Sequence, residues 1–262
     1  MKPLVIEFKE WNDDLVIESL EKTGFLVVNN PFQSVKRSLN KLRDTLKLTN
    51  LKTFSTFQQG RTSKPDSPGE ANERVILEFE SGEPRTPKKF LEDQEMQQCV
   101  DDVRGKFLDV GIKIFHTIEK YMSMPHDTIA EKHYPNRDVD LTYVKYYKDQ
   151  EDDVRLGSHC DFGTLTLVHV CDPVEEYQID KNNEWHTIKH PSDDFIIVNV
   201  GDYMQLWTDN RLKSTRHRVA NYTKKERSCF ITFMAAIPTT RVEKYDPKEW
   251  NDFQASHSMA TG

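Results

Sequence analysis

The sequence lacks the features that would direct it to the secretory pathway or into a membrane. It has four cysteines, and no two of them form a C-x-x-C pair. They are Cys99, Cys160, Cys171 and Cys229. Such scattered cysteines predict reduced core residues of a cytoplasmic protein. No segment approaches the ~18 consecutive apolar residues of a membrane span. The first eleven residues turn charged by Glu7, so no signal peptide is predicted.

The sequence also has no excess of positively charged residues. The 262 residues include 36 Lys and Arg against 43 Asp and Glu, which gives a formal net charge of −7. This balance argues against a nucleic-acid groove or an anionic membrane surface as the main partner, so we expect a small molecule instead. The length and the 36% hydrophobic content suit one large domain, or a core with a helical annex, which we expect to be a monomer.

Residues 1–135 mix short strands with helices, and we expect them to form an α/β annex packed on the core. The stretches "LVIEF" (4–8) and "GFLVVNN" (24–30) predict strands. Residues 14–23 lie between them and predict a helix, with an Asn-Asp-Asp sequence available to cap its first turn.

The second half of this annex predicts a long amphipathic helix between residues 91 and 122. Its apolar residues recur at gaps of three and four. They are Val100, Val103, Phe107, Val110, Ile114 and Ile118. Before this helix, the polar stretch "QQGRTSKPDSPGEANE" (58–73) predicts a loop. A lid and a disordered linker are equally open interpretations of that loop.

Residues 136–240 differ in character because strand candidates follow one another closely, with turn residues between them. The candidates are "LTYVKYY", "LTLVHV", "YQID", "EWHTIKH", "FIIVNV", "YMQLWT", "HRVANY" and "CFITFMAA". Many short strands with close turns predict a sandwich, a barrel or a jelly roll. Residues 241–262 predict a C-terminal helix near "DPKEWNDFQASHS", with Pro247 in its first turn, and a tail.

Three residues of this second part form a candidate metal site. His159 and Asp161 stand two apart in "GSHCDFGTLTLVHV", so on a strand their side chains point to the same side. His217 lies 56 positions after Asp161 on another predicted strand. Two imidazoles and a carboxylate form a facial triad, which leaves three adjacent positions open on a six-coordinate Fe(II). Zinc also accepts these ligands, so the ligand types alone do not choose the metal.

Arg227 lies ten positions after His217 and opens the strand candidate that ends in "CFITFMAA". Strand parity puts Arg227 on one face with Cys229, Ile231 and Phe233. A guanidinium beside apolar interior residues is costly unless it has an anionic partner, and its planar fork matches a carboxylate. The distal carboxylate of 2-oxoglutarate is a suitable partner.

Two long strings carry a resemblance to a known family. "KYYKDQEDDVRLGSHCDFGTLTLVHV" and "IIVNVGDYMQLWTDNRLKSTRHRVAN" resemble the motifs of the iron(II)- and 2-oxoglutarate-dependent dioxygenases of the isopenicillin N synthase-like superfamily. The resemblance implies an α+β fold with a mainly β core, a double-stranded β-helix (jelly roll) flanked by N-terminal helices and a C-terminal helix. It implies a catalytic core over residues 136–240, between the 1–135 annex and the 241–262 tail, as one structural unit.

The resemblance also implies cofactors and residue roles. Fe(II), 2-oxoglutarate and O₂ are the implied cofactor and co-substrates. His159, Asp161 and His217 match the metal ligands. Arg227 matches the arginine that pairs with the C5 carboxylate of 2-oxoglutarate, and Tyr147 matches the tyrosine that hydrogen-bonds the same group.

The sequence departs from the family pattern at two positions. The family's Arg-x-Ser pair has Cys229 in place of serine, while Ser228 falls on the opposite face. The family's asparagine two before the tyrosine is replaced by Lys145. By parity Lys145 shares a face with Tyr147. We expect it either to enter the site, where it would bind the 2-oxoglutarate carboxylates or an anionic substrate, or to reach the rim as a solvated lysine.

The expected activity is oxidation of a C–H bond of a small metabolite of the kind made in secondary metabolism, by hydroxylation, desaturation or ring closure. An anionic substrate, held by positive side chains near the site, and a substrate without such a charge are equally open. Lys145, Arg155, Phe162 and Phe233 are the candidate substrate residues, and the 58–73 stretch and its flank add Arg61, Lys64 and Arg74. Two alternatives stay open. One is an Fe(II)/O₂ oxidase of the same superfamily that does not use 2-oxoglutarate, and the other is a non-catalytic small-molecule binder.

Overall fold

An eight-stranded sheet collects strands from both halves of the chain in the computed structural model. The structure describes residues 2–54, 58–59, 72–77, 79–80, 83–84, 93–133, 140–147 and 153–236. The strands are β1 (Val5–Glu7), β2 (Phe25–Asn29), β3 (Gln58–Gln59), β4 (Asn72–Leu77), β5 (Phe79–Glu80), β6 (Glu83–Pro84), β7 (Leu141–Tyr146), β8 (Val154–His159), β9 (Leu165–Val170), β10 (Tyr177–Lys181), β11 (Glu184–Thr187), β12 (Phe195–Val200), β13 (His217–Ala220) and β14 (Arg227–Met234). The helices are α1 (Asp13–Thr23), α2 (Lys36–Leu48), α3 (Gln94–Tyr121) and α4 (Asp202–Trp207).

The strands form a main sheet and a smaller sheet, as expected for a jelly roll. The main sheet has the order β1-β2-β12-β9-β14-β7-β4-β3, and the smaller one has the order β11-β10-β13-β8. The strands β5 and β6 form a separate pair. Neighbours within both main layers are antiparallel, apart from the parallel pair of β1 and β2. The mainly β core predicted from the sequence is thus confirmed.

The two faces of the main sheet are buried against different partners. Successive strand residues point to opposite sides, so one strand serves both faces. On β7, for example, Tyr143 joins the apolar cluster made with α1, α2 and α3. Val144 and Tyr146 join the cluster made with the smaller sheet. The space between the two sheets is therefore the interior of the jelly roll, and the helices cover the outer face.

The N-terminal helices begin and end where the local sequence dictates. Asn12 caps α1, because its side chain accepts a hydrogen bond of 3.1 Å from the backbone N–H of Leu15. Gly24 ends the helix with a φ of 70°, a left-handed conformation that glycine adopts without strain. The helix α3 fills the predicted 91–122 region and packs against α1 and α2. None of the helices in the described ranges is long and apolar enough to cross a membrane.

The structure corrects the sequence analysis at three elements. The candidate strand "YMQLWT" is the helix α4, which turns away directly after β12 at Gly201. The helix α2 was not predicted, although its buried Leu39, Leu42 and Leu46 have helical spacing. The ends of the predicted 58–73 loop are strands, because β3 pairs with β4.

Other expectations lie outside the described residues. These are the rest of the 58–73 loop and the C-terminal helix near Pro247. The boundaries at residues 135 and 240 stay predictions.

A close backbone approach fixes the turn between β12 and α4. A Cβ atom at Gly201 would lie 2.2 Å from the carbonyl oxygen of Gly163 and 2.9 Å from that of Asp161. The backbone N–H of Gly201 also donates a 2.9 Å hydrogen bond to the carbonyl of Thr164. The segment after β8 is therefore held against the end of β12 with no room for a side chain.

We predict that Gly201→Ala destabilises the protein, because the new methyl group meets backbone atoms that cannot move independently. The expected loss is about 1–3 kcal/mol of unfolding free energy, measured by urea denaturation. Gly105→Ala is the matched control, since a Cβ there meets nothing within 4 Å. In the interior of α3 this control should stabilise the protein by up to about 1 kcal/mol. Equal stability of the two variants would contradict the close-approach argument.

Candidate active site

The pairing of β8 with β13 brings two histidines face to face. His159, the last residue of β8, is registered directly opposite His217, the first residue of β13. Their ring centroids are 4.3 Å apart. Asp161 follows two residues after β8, with Oδ1 at 3.5 Å from His159 Nε2 and Oδ2 at 3.7 Å from His217 Nε2. The structure therefore brings His159, Asp161 and His217 together within reach of one metal ion.

Backbone carbonyls fix which nitrogen of each imidazole faces Asp161. His159 Nδ1 lies 2.8 Å from the carbonyl oxygen of Gly157, and His217 Nδ1 lies 3.1 Å from that of Thr215. A carbonyl can only accept, so Nδ1 carries the proton in both rings and Nε2 keeps its lone pair. Burial lowers the pKa of His217 to about 4, which keeps this imidazole neutral near pH 7. Both Nε2 atoms therefore have a lone pair available to coordinate a metal cation.

Residues of β12 and α4 hold Asp161 through both its carboxylate and its backbone carbonyl. Asn199 Nδ2 donates a 2.8 Å hydrogen bond to Oδ2, and the backbone N–H of Asp202 donates a 2.7 Å bond to the Asp161 carbonyl. Burial by itself raises the pKa of the Asp161 carboxyl, but the imidazoles of His217 and His159 bring it below its usual range. Asp161 is therefore an oriented anion.

Two residues beside the triad, Asn199 and Tyr177, were not predicted from the sequence as site residues. Asn199 is fully buried, and its position in the "NVGD" stretch, ahead of the β12–α4 turn, was the available signal. Tyr177 of β10 stacks on the His217 ring at a centroid distance of 5.4 Å and an angle of 11°. Its hydroxyl is 3.4 Å from Asn199 Oδ1. Nothing local in the sequence around Tyr177 distinguishes it from an ordinary strand tyrosine.

Arg227 is a buried cation on the same inner face. It is 1% exposed, and its Cζ lies 5.1 Å from the ring centroid of Tyr146, the residue opposite it on β7. Nη1 has a weak contact of 3.7 Å to Cys229 Sγ. Among the described residues, Nε and Nη2 have no hydrogen-bond partner. A buried guanidinium with two free donors is costly and is completed by an anion.

The triad and Arg227 line one cavity of about 40 Å³. This is well below the range of about 300–1,000 Å³ for small-molecule sites. The lining residues are Tyr146, Leu156, His159, Asp161, Thr166, Val168, Tyr177, His217, Val219, Arg227, Cys229, Ile231 and Phe233. The three candidate metal ligands and a buried cation thus line the same cavity.

The structure does not bring Tyr147 or Lys145 to this cavity. Tyr147 is 39% exposed, and its hydroxyl donates to the carboxylate of Glu73. Lys145 Nζ donates a 3.1 Å bond to the carbonyl of Lys47 and lies 3.6 Å from a Glu226 carboxylate oxygen. The two share a face, as parity required, but that face is turned away from the interior. Tyr146 occupies the position beside Arg227 that was expected for Tyr147.

Arg155 is also placed differently from the expectation of a substrate residue. Its Nε donates a 2.8 Å bond to Glu176 Oε2, and both side chains are completely buried. Nη1 donates a 3.0 Å bond to the carbonyl of Tyr147, and Nη2 donates to that of Lys225. All three nitrogens of the guanidinium are therefore used inside the protein, and none is directed at the cavity.

The remaining predicted residues lie as follows. Phe233 lines the cavity and is 48% exposed, whereas Phe162, beside Asp161, is exposed without lining it. Cys229 lines the cavity, and Ser228 points the other way, where its Oγ donates a 2.8 Å bond to Asp172 Oδ2. Arg74 lies on β4, away from the lining. Arg61 and Lys64 lie outside the described residues.

The donor set fits a divalent transition metal. Two ligand atoms at about 2.1 Å from one ion are at most about 4.2 Å apart, and both histidine–aspartate separations are shorter than that. Imidazole and carboxylate ligands suit iron and zinc alike. Arg227, in the same cavity, has donors without a hydrogen-bond partner among the described residues. A metal cation cannot accept hydrogen bonds from it, so the cavity also requires an anion.

Comparisons with known proteins agree with this geometry. Residues 138–236 match the family model described as the 2OG-Fe(II) oxygenase superfamily. A 2-oxoglutarate-dependent dioxygenase of Glarea lozoyensis, gloF, is 33% identical over 137 residues, which cover 45% of this chain and 41% of that protein. The proline hydroxylase buaE of Petromyces alliaceus is 31% identical over 134 residues, which cover 46% and 40%. The chain thus spans less than half the length of these curated relatives.

Solved structures extend the likeness to nearly the whole chain. A putative 2OG-Fe(II) oxygenase family protein from Caulobacter crescentus superposes with a TM-score of 0.75 at 17% identity, covering 99% of both chains. The dioxygenase for auxin oxidation 1 of Arabidopsis thaliana, solved with 2-oxoglutarate, gives a TM-score of 0.71 at 18% identity, covering 95% of this chain and 99% of its own. At this identity the superpositions show a shared fold. The family match itself covers residues 138–236, which resemble the 2OG-Fe(II) oxygenase superfamily.

Proposed function

We propose that the protein is an Fe(II)- and 2-oxoglutarate-dependent dioxygenase that oxidises a C–H bond of a small molecule. The observation that carries this proposal is the pair of unpartnered donors on Arg227, which face the same cavity as the triad. A metal site alone is compatible with many reactions. A metal site with a buried cation beside it favours a ligand that binds the metal at one end and carries a negative charge at the other.

His159, Asp161 and His217 would hold the iron, with each histidine donating through Nε2. Three protein ligands leave three positions of a six-coordinate ion for a bidentate co-substrate and O₂. Bound Fe(II) supplies the O₂ chemistry, in which 2-oxoglutarate is oxidatively decarboxylated to succinate and CO₂ while the substrate C–H bond is oxidised. Asn199 keeps Asp161 oriented toward the ion through its 2.8 Å hydrogen bond.

Arg227 would bind the C5 carboxylate of 2-oxoglutarate through Nε and Nη2 in a bidentate pair. Tyr146 packs against the guanidinium and shields this pair from water. Cys229 stands where the family has a serine, and a thiol is a much weaker hydrogen-bond donor than a hydroxyl. The charge pair then supplies nearly all of the polar recognition at this end of the cavity.

The substrate would rest against the apolar walls beyond the metal. Leu156, Val219, Ile231 and Phe233 line this part of the cavity. Lys145 and Arg155, which were expected to hold an anionic substrate, are engaged elsewhere. We propose hydroxylation as the outcome, because the chain is 31% identical over 134 residues to a named proline hydroxylase, with desaturation and ring closure as other products to be sought.

Cys229 keeps one other candidate open, an Fe(II)/O₂ oxidase that does not consume 2-oxoglutarate. The loss of the serine hydroxyl removes one co-substrate contact, worth roughly 0.5–1.5 kcal/mol. Succinate release separates the two reactions. Iron-dependent succinate formation on addition of 2-oxoglutarate supports the dioxygenase, whereas substrate oxidation without succinate supports the oxidase. A screen of small metabolites for compounds that raise succinate release would identify the substrate in the same assay.

We predict that His159→Ala, Asp161→Ala and His217→Ala each abolish Fe(II) binding and succinate formation, because each removes one of three ligands. Fe(II) binding is measured by anaerobic equilibrium dialysis and succinate by mass spectrometry. His186→Ala is the matched control, since His186 is a partly exposed histidine of β11 that does not line the cavity. Circular dichroism checks that all variants are folded. Near-normal succinate formation in any of the three would refute the ligand assignment.

We predict that Arg227→Met raises the Kd for 2-oxoglutarate while Fe(II) binding stays unchanged. Removing one partner of a desolvated charge pair costs about 2–5 kcal/mol, or about 30- to 4,000-fold in affinity. Arg218→Met is the control, because Arg218 is a neighbour of His217 whose guanidinium lies 4.2 Å from the Trp185 ring centroid, outside the cavity. An unchanged 2-oxoglutarate affinity in Arg227→Met would move the anchor elsewhere and favour the oxidase.

We predict that Asn199→Ala weakens Fe(II) binding about 10- to 100-fold, the usual effect of removing a group that orients a metal ligand. The reason is that Asp161 loses its 2.8 Å hydrogen bond from Nδ2. Tyr177→Phe is the comparison, because it removes only the 3.4 Å hydroxyl contact and keeps the stacked ring. Titration with Fe(II) under anaerobic conditions measures both. Equal affinities for the wild type and Asn199→Ala would show that Asp161 is oriented by its backbone alone.

A further inference from the structure

We propose that His116, His126 and Asp127 form a second metal site, for a divalent transition metal ion of the Zn²⁺ class, on the outer surface at the end of α3. His116 Nε2 lies 2.8 Å from Asp127 Oδ1, and His126 Nδ1 lies 2.8 Å from Oδ2. The two imidazole rings are 4.0 Å apart and inclined by 32°. All three ligand atoms lie within 4.8 Å of one another, on residues that do not line the cavity of the triad.

The donor set is one that zinc and related ions accept. Two imidazole nitrogens and a carboxylate oxygen are typical ligands, at about 2.0–2.2 Å from the ion. In a tetrahedral shell of that radius the ligand atoms are about 3.3–3.6 Å apart, so the 2.8 Å contacts need to widen by less than about 1 Å to admit the ion. A neutral imidazole carries its single proton on either nitrogen. Each ring can therefore move the proton away from Asp127 and present a lone pair, with no proton released.

The buried carboxylate of Glu119 preorganises this site. Glu119 is 1% exposed and lies three residues after His116, on the same face of α3. Its Oε2 accepts a 2.9 Å hydrogen bond from the backbone N–H of Asp127, and Oε1 accepts bonds of 2.7 and 3.0 Å from those of Ile129 and Ala130. These hydrogen bonds fix the segment that carries Asp127 to the helix that carries His116. Binding of the ion therefore requires little further ordering of the chain.

The charges around the site also suit a cation. Glu119 and Asp127 contribute two negative charges. The lysines that share this surface are already engaged, since Lys113 Nζ donates a 3.2 Å bond to the Phe8 carbonyl and Lys120 Nζ pairs with Asp13 Oδ2 at 2.8 Å. The His126 side chain is 69% exposed, which leaves room for water to complete a four-coordinate shell. Bound there, the ion would cross-link the end of α3 to the segment that follows it.

The test is the stoichiometry of Zn²⁺ bound by the full chain, measured by isothermal titration calorimetry and by elemental analysis after dialysis. Because the triad also accepts zinc, the measurement is made in Asp161→Ala as well as in the wild type. We expect two equivalents in the wild type and one in Asp161→Ala. Adding His126→Ala to Asp161→Ala should abolish the remaining equivalent, whereas adding His186→Ala, at a comparable partly exposed histidine, should leave it.

Thermal unfolding gives a second readout that does not depend on activity. Saturating Zn²⁺ at about 100 times its Kd should raise the Tm of Asp161→Ala by about 5–10 °C and should leave the Tm of the double variant with His126→Ala unchanged. Loss of all zinc binding in Asp161→Ala would overturn the proposal. So would a remaining equivalent that is indifferent to His126→Ala. Neither result would bear on the dioxygenase, whose test is succinate formation.

Discussion

The site depends above all on the register between β8 and β13. His159 and His217 are opposite each other only in this register, and a slip of one residue would turn one imidazole to the outer face. The pairing becomes irregular directly after His217, where the register shifts before Val219 and again before Ala220. Such irregularities are frequent beside active sites, because they re-aim a side chain or end a ladder. The pair that positions the two histidines thus adjoins the irregular part of the ladder.

The buried Arg227 shows that this chamber is arranged for a ligand more than for stability. Its guanidinium is removed from water on the strand face that also carries Cys229, Ile231 and Phe233, and two of its donors stay unsatisfied among the described residues. Tyr146 offers a π face rather than a negative charge. An anion that binds here recovers hydrogen bonds that the folded protein alone does not make, so binding should stabilise the folded state through linkage.

Strand parity explains both what the sequence could predict and where it misled. It grouped Arg227 with Cys229 and Phe233, and the structure places all three on the cavity side. It also grouped Lys145 with Tyr147, and they do share a face. Parity does not say which face is turned inward, and on β7 the inner face belongs to Val144 and Tyr146. The tyrosine that the resemblance selected, Tyr147, lies on the other face, and Tyr146 lines the cavity.

Contacts between segments far apart in the chain were beyond the reach of the sequence. Asn199 meets Asp161 across 38 positions, and Arg155 meets Glu176 and the Lys225 carbonyl in the same way. Short elements also gave ambiguous signals. Six residues of α4 contain too few helical turns to distinguish an apolar helix from a strand, and only the tight turn at Gly201 ends the extended run.

The placement of Arg227 and Phe233 along β14 has a consequence for the order of events. Both face the cavity, six residues or about 20 Å apart along the strand, with Arg227 fully enclosed and Phe233 half open to water. A molecule that approaches Arg227 from the exposed Phe233 side passes the walls that the second reactant would occupy. The proposed co-substrate would therefore enter first, and its remnant would leave only after the oxidised product has cleared the passage.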